Sequence, residues 1–237
     1  MRAEQWTIAS HILLGGARVT IVQFLNFAGV FVFAATGALA ASRRQLDIMG
    51  FIFLANITGI GGGTLRDLIL STPVFWVQEP IYLLAGTLAA IAVYFTAHRV
   101  ESRYRVLLWL DAIGMSAYTV MGAAKGLALG VSAPVAIVTG IFTATLGGIL
   151  RDMVAGEPSV IMRREIYITA ALAGACLYVG LARLGVDPFF SAVVAALTSF
   201  TVRGGALYFG WNLPVYKSRP GRTEEELQRD RIIRSEQ

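Results

Sequence analysis

A short phrase that could handle ions occurs twice in this chain. Gly62-Gly63-Thr64-Leu65-Arg66-Asp67 recurs as Gly147-Gly148-Ile149-Leu150-Arg151-Asp152. Each copy lies inside a long apolar stretch. Charged residues are costly in hydrocarbon and mark permeation paths and relays there. A glycine pair weakens a helix. Meeting both costs twice, at matching places, points to function rather than packing; the competing reading is that the ions only lock two halves together. Neighbours at i and i+1 on a helix do not face each other, so symmetry suggests pairing between copies, Arg66 with Asp152 and Arg151 with Asp67. Gly61-Gly62-Gly63 and Gly147-Gly148 are expected to break or kink their helices, and the freed backbone groups must find partners or line a wet cavity.

The elements that carry the motif are themselves duplicated. The 85-residue offset that lays Arg66 on Arg151 also lays Gly29 on Gly114, Thr58 on Thr143, Pro73 on Pro158 and Ile81-Tyr82 on Ile166-Tyr167. Asn26 falls on Asp111 and Phe33 on Tyr118. No gap is needed. Residues 22–98 and 107–183 read as two copies of one unit.

Composition gives the solvent. The 237-residue chain is 56% hydrophobic and only 15% charged, with mean hydropathy +0.64, more apolar than a soluble domain of this size. Seven stretches are long enough to cross a bilayer: about Ile21–Ala41, Ile48–Leu70, Ile81–Ala97, Val106–Ala124, Ala133–Ala155, Ile166–Ala182 and Phe189–Phe209. The seven prolines fall at segment edges or in loops. This predicts an all-α integral membrane protein with an N-terminal segment (1–20), a membrane domain (21–212) and a C-terminal tail (213–237). The run Ile12–Leu14 is too short for a signal peptide.

Loop charges set the orientation. Arg43-Arg44, Arg99, Arg103, Arg105 and Arg163-Arg164 share one side with the basic tail, whereas Ser71–Pro80 on the other side has no basic residue. Positive charge marks the cytoplasmic side. The N-terminus is therefore expected outside and the C-terminus in the cytoplasm, in a bacterial or archaeal inner (plasma) membrane. Three spans per copy is an odd number, so the second copy enters from the opposite face. The repeats are then inverted, an architecture whose functional site lies where the repeats meet. The span over 189–209 is an addition.

Other polar residues complete the candidates. Asp111 and Asn26, near the starts of the fourth and first spans, read either as interfacial polar residues or as a cation-attracting pore mouth. Lys125 ends the fourth span, where snorkelling explains it and a gate is the alternative. Arg203, near the cytoplasmic end of the seventh span, reads as a snorkelling residue. Gly59/Gly63 and Gly122/Gly126 allow close helix approach.

Several classes are set aside. Cys176 is the only cysteine, so there is no internal disulfide or cysteine-based metal site; His11 and His98 suggest none either, and no cofactor is called for. The pI near 9.7 reflects cytoplasmic arginines rather than a nucleic-acid partner. Gly59-Ile60-Gly61-Gly62 lacks the strand and third glycine of a dinucleotide loop. No P-loop is present. Asn56-Ile57-Thr58 is a sequon buried in a span. No nucleophile–base arrangement supports an enzyme.

Two three-helix repeats, GGGTLRD and GGILRD in the second and fifth spans, and a seventh helix together resemble the prokaryotic trimeric intracellular cation (TRIC) channels. The resemblance covers about residues 22–212. It implies a homotrimer embedded in membrane lipid, with one pore per protomer between the repeats, permeable to potassium and also sodium. It places the kinks at Gly61, Gly62, Gly63, Gly147 and Gly148 and the charged pore positions at Arg66, Asp67, Arg151 and Asp152. Lys125 is similar in placement to a basic residue of animal relatives. The same broad family includes members labelled glycine transporters, so the motif leaves channel and zwitterion carrier open. A third reading is a non-conducting membrane assembly protein.

Overall fold

The computed structural model describes residues 16–159 and 166–214, with side chains from residue 26, and a few positions beyond. Among these the chain is all helical. In chain order the helices are α1 (Gly16–Arg43), α2 (Ile48–Ile69), the one-turn α3 (Phe75–Gln78), α4 (Ile81–Thr96), α5 (Arg103–Ala128), α6 (Ala133–Val154), α7 (Ile168–Arg183) and α8 (Pro188–Phe209). A 3-10 turn over Ala97–Arg99 follows α4. The long helices fall on the seven apolar stretches. Five of them are long and apolar enough to cross a membrane, and α7 is a shorter apolar helix. The N-terminal residues before Gly16, Arg163-Arg164 and all of the tail's basic residues lie outside the described residues.

Local chemistry sets the ends. The Asp47 carboxylate caps α2 by accepting from the Gly50 N–H at 2.7 Å. Asp187 caps α8 by accepting from the Phe189 and Phe190 N–H groups, with Pro188 in the first turn. The C-terminal stops repeat between the copies. Ser71 after α2 and Gly156 after α6 both take left-handed φ, 52° and 63°. In each case the next N–H reaches back to an aspartate carbonyl of the motif: Thr72 to Asp67 at 2.9 Å and Glu157 to Asp152 at 2.8 Å. Glycine takes this conformation at no steric cost and serine does not.

The helices form two sets. α1, α2 and α4 pack together, as do α5, α6 and α7; α2–α6 and α1–α5 contacts join the sets, and α8 lies against α5 and α7. The core is built from small residues, with Ala34, Ala38, Ala55, Ala89 and Ala90 in one cluster. A second cluster at the junction holds Val30, Phe33, Tyr82, Met115, Tyr118 and Tyr167. Outward positions are apolar, among them Met49, Phe53, Leu84, Phe95 and Phe189. Such a surface suits hydrocarbon, where the backbone must be satisfied within each helix.

The expected helix breaks do not form. α2 runs as one helix through Gly61-Gly62-Gly63, and α6 through Gly147-Gly148. These glycines serve contact instead. A Cβ on Gly62 would strike the Thr143 carbonyl oxygen, and one on Gly147 would strike that of Thr58. The two contacts are repeat mates and set α2 antiparallel to α6. Around the same centre, Phe33 and Tyr118 rings lie 4.9 Å apart. Gly29 leaves room for the Tyr118 ring and Gly114 for the Phe33 ring. A helix interior tolerates glycine at about 1 kcal/mol each, and close backbone approach offsets that cost. The small-residue spacings behave as expected: Gly59 lies under the Val30 carbonyl and Gly122 under Gly140.

Candidate functional site

Antiparallel α2 and α6 carry the two Arg-Asp motifs to opposite ends of the bundle. With Gly62 level with Thr143 and Gly147 level with Thr58, Arg66 and Arg151 are separated by about 18 Å of helix axis at 1.5 Å per residue. The pairs Arg66–Asp152 and Arg151–Asp67 do not form. Each arginine instead turns back on the aspartate beside it: Arg66 Nε donates to Asp67 Oδ1 at 2.7 Å and Arg151 Nε to Asp152 Oδ1 at 2.9 Å. The long arginine stem folds round the helix and overcomes the poor i, i+1 geometry, and unbroken helices leave no partner closer.

At the first end Asp67 is fully buried and receives three donors. Besides Arg66, Lys125 Nζ donates to Oδ1 at 2.7 Å and the Phe75 N–H to Oδ2 at 3.0 Å. Lys125, at the end of α5, therefore does more than snorkel: it bonds across the copies, with its side chain about one-third exposed. α3 folds over this cluster. The Phe75 ring rests on Gly63 with the Arg66 guanidinium 5.7 Å from its centre, and Trp76 Nε1 donates to Thr64 Oγ1 at 2.9 Å.

At the second end Arg151 is 1% exposed. Its Nη1 donates to Asp111 Oδ1 at 2.7 Å and to Thr36 Oγ1 at 3.1 Å; Nη2 lies 2.9 Å from Asp152 Oδ1. Asp111 is thus a buried partner of Arg151 rather than an exposed interfacial residue. Its counterpart Asn26 is half-buried on α1, and among the described residues it gives Arg66 no bond. Arg203 does not snorkel. It is fully buried, its guanidinium lies over the Tyr167 ring, 5.1 Å from the centre, and Nη1 donates to the Ile166 carbonyl at 3.3 Å. A buried arginine demands such partners, since a charge in low dielectric is costly alone.

The two clusters differ in sign. Arg66, Lys125 and Asp67 carry one positive charge in excess; Arg151, Asp111 and Asp152 carry one negative. Thr36, Tyr167 and the Phe75 N–H escaped the sequence reading. Only Tyr167 had a visible signal, as the repeat mate of Tyr82. Near the second end, Arg43 on α1 pairs with Glu157 after α6 at 3.0 Å and stacks on Tyr104 at 4.5 Å.

The fold that carries these two buried Arg-Asp motifs is shared with solved prokaryotic TRIC channels. A family profile described as "Glycine transporter" matches twice, over residues 23–98 and 108–183. The chain belongs to this family, which its similarity to solved prokaryotic TRIC channels and to UPF0126 membrane proteins supports throughout. The TRIC channel orthologue from Rhodobacter sphaeroides is 48% identical, with a TM-score of 0.79 over 81% of this chain and all of that one. A prokaryotic TRIC channel crystallised in 0.5 M KCl is 28% identical, with a TM-score of 0.76 over 82% of this chain and 100% of that one. The UPF0126 membrane protein of Vibrio cholerae is 32% identical over 202 residues, 83% of each chain. The inner membrane protein YadS of Escherichia coli is 34% identical over 163 residues, 67% of this chain and 77% of that one.

Proposed function

We propose that this chain is a monovalent cation channel, permeable to potassium and sodium, that assembles as a homotrimer with one path per protomer. The observation that carries the reading is the reciprocal α2–α6 contact with a charged cluster at each end, in a fold shared at 48% identity with a solved TRIC channel. The path runs between the two repeats, past Arg66-Asp67 and Arg151-Asp152, in a protomer of seven spans. The repeats are inverted about an axis in the membrane plane, between Phe33 and Tyr118. The N-terminus is outside and the C-terminus cytoplasmic, which puts the Lys125 cluster outward and the Asp111 cluster inward.

At the outer cluster Lys125 and Arg66 neutralise Asp67, so a cation is not held there while both are in place. Lys125 sits on a flexible stem, and its withdrawal returns negative charge to the path. Selectivity then rests on charge and width, since the chain has no potassium-filter sequence.

One observation favours a second reading, a carrier for a small zwitterion such as glycine. Two cations share one carboxylate at the outer cluster, an arrangement that could take a substrate carboxylate, and the family description names glycine. Purified protein in planar bilayers separates the two. Discrete potassium current steps support the channel; saturable glycine uptake into vesicles without such steps replaces it with the carrier.

A further inference from the structure

The end of the bundle that carries the Arg151 cluster also holds an open cleft of about 450 Å³, lined by Arg43, Arg44, Tyr104, Glu157 and Pro158. Three segments build it: the end of α1, the first turn of α5 and the loop after α6. Arg103 Nη1 donates to the Ser42 carbonyl at 3.2 Å and fastens α5 to α1 there. The Arg43 guanidinium is held over the Tyr104 ring, and its Nη1 donates to Glu157 Oε2 at 3.0 Å. Arg44 Nη2 donates to the Gly156 carbonyl. A guanidinium has five N–H donors, so these bonds fix two arginines without exhausting them. The Glu157 side chain is 9% exposed, against 31% for Arg43 and 43% for Arg44. The acid therefore lies beneath and the arginines at the opening.

Charge and repeat position set the cleft apart from packing. Two arginines and one glutamate leave one positive charge. At the 85-residue offset the mates of Arg43, Arg44 and Glu157 are Ala128, Leu129 and Thr72, so the duplicated helices close at the other end without these ions. Beside the cleft the chain is apolar. Leu46 follows Arg44 by two residues, Met153 and Val154 lie within a turn of Glu157, and all three are exposed. We propose that the cleft binds the phosphodiester of an anionic phospholipid, whose acyl chains lie along this apolar surface. Basic pockets between spans at a membrane face take such headgroups, and arginine matches phosphate oxygens with paired N–H bonds. Without lipid, the Glu157 carboxylate stands in for the phosphate on Arg43. The one excess positive charge selects a headgroup of net charge −1 over a zwitterionic one. The site needs a membrane and not conduction, so it stands apart from the channel reading.

Native mass spectrometry of the full chain, released from detergent after titration with phosphatidylglycerol, tests this. One lipid per chain should bind more tightly than the rest. Arg43→Gln and Arg44→Gln should each weaken that binding about tenfold, as the loss of a hydrogen bond to a charged group does. Arg105→Gln, exposed at the same end but outside the lining, should leave it unchanged. Glu157→Gln should tighten it, because the competing carboxylate charge is gone; poor folding cannot imitate a gain in affinity. Equal binding of phosphatidylethanolamine would overturn the charge selection and the proposal with it. An Arg105→Gln loss as large as that of Arg44→Gln would reduce the site to diffuse attraction by a basic surface. Weaker binding in Glu157→Gln also overturns it. Displacement of the lipid by millimolar inorganic phosphate would replace it with a site for a soluble anion.

Discussion

Lys125 reaches from the second repeat to Asp67 of the first, and its ammonium lies 2.7 Å from Oδ1. The bond ties the end of α5 to the end of α2. It also puts a second cation on a carboxylate that already holds Arg66.

Asp67 should therefore couple to Lys125 and not across to Arg151. Asp67→Asn strands two cations and should cost about 3–5 kcal/mol, the usual loss when one partner of a buried pair is removed. Adding Lys125→Met should recover part of it. A double-mutant cycle read by unfolding in detergent should give a coupling above about 0.5 kcal/mol for this pair, and less for Arg66 with Asp152. Strong Arg66–Asp152 coupling would contradict the arrangement described.

Lys125→Met alone should raise potassium conductance, because Asp67 then faces one cation rather than two. Single-channel recording gives the answer; a fall in conductance would show that the ammonium helps the ion pass.

The glycines should divide by what faces them. Gly62→Ala and Gly147→Ala press on backbone carbonyls and should destabilise or prevent folding. Gly180→Ala, on α7 with nothing within 4 Å of its added methyl, should stabilise by about 0.5–1 kcal/mol through helix propensity. Melting temperatures of the three variants decide it.

Glu157→Gln should cost about 1.5–3 kcal/mol, the range for a hydrogen bond to a charged group. The Glu157 side chain is only 9% exposed and answers both Arg43 at 3.0 Å and Arg44 at 4.0 Å. The part owed to the more exposed arginines should shrink in high salt.

Cysteines placed at Thr72 and Ser218, with Cys176 replaced, should react from opposite sides of the membrane. Labelling of both from one side would remove the seven-span topology and the inverted repeats with it.

Much of the fold was legible because hydrocarbon imposes few choices. Pro80, Pro134 and Pro188 fixed where helices begin, the 85-residue offset exposed the duplication, and small-residue spacing announced close contacts. The errors at the site share one cause. Gly61-Gly62-Gly63 and Gly147-Gly148 were read as backbone weakness, but the cost of glycine is small and a facing carbonyl can use the space. On continuous antiparallel helices, Arg66 and Asp152 are too far apart to pair. The Lys125–Asp67 bond could have been read, since spans two and four finish on the same side. Nothing in the spacing says that Asp111 sinks to 1% exposure or that Arg203 stacks on Tyr167; those follow from how α8 and α7 close over α5.

The Tyr118 hydroxyl donates to the Gly59 carbonyl at 3.1 Å, and Phe33, its mate, has no hydroxyl with which to answer. Two identical three-helix chains could not differ in this way, nor hold Lys125 at one end and Asp111 at the other. Joining the halves in one polypeptide let each end acquire its own charge. For a conducting path this means rectification: with an excess cation at one end and an excess carboxylate at the other, equal and opposite voltages drive unequal currents.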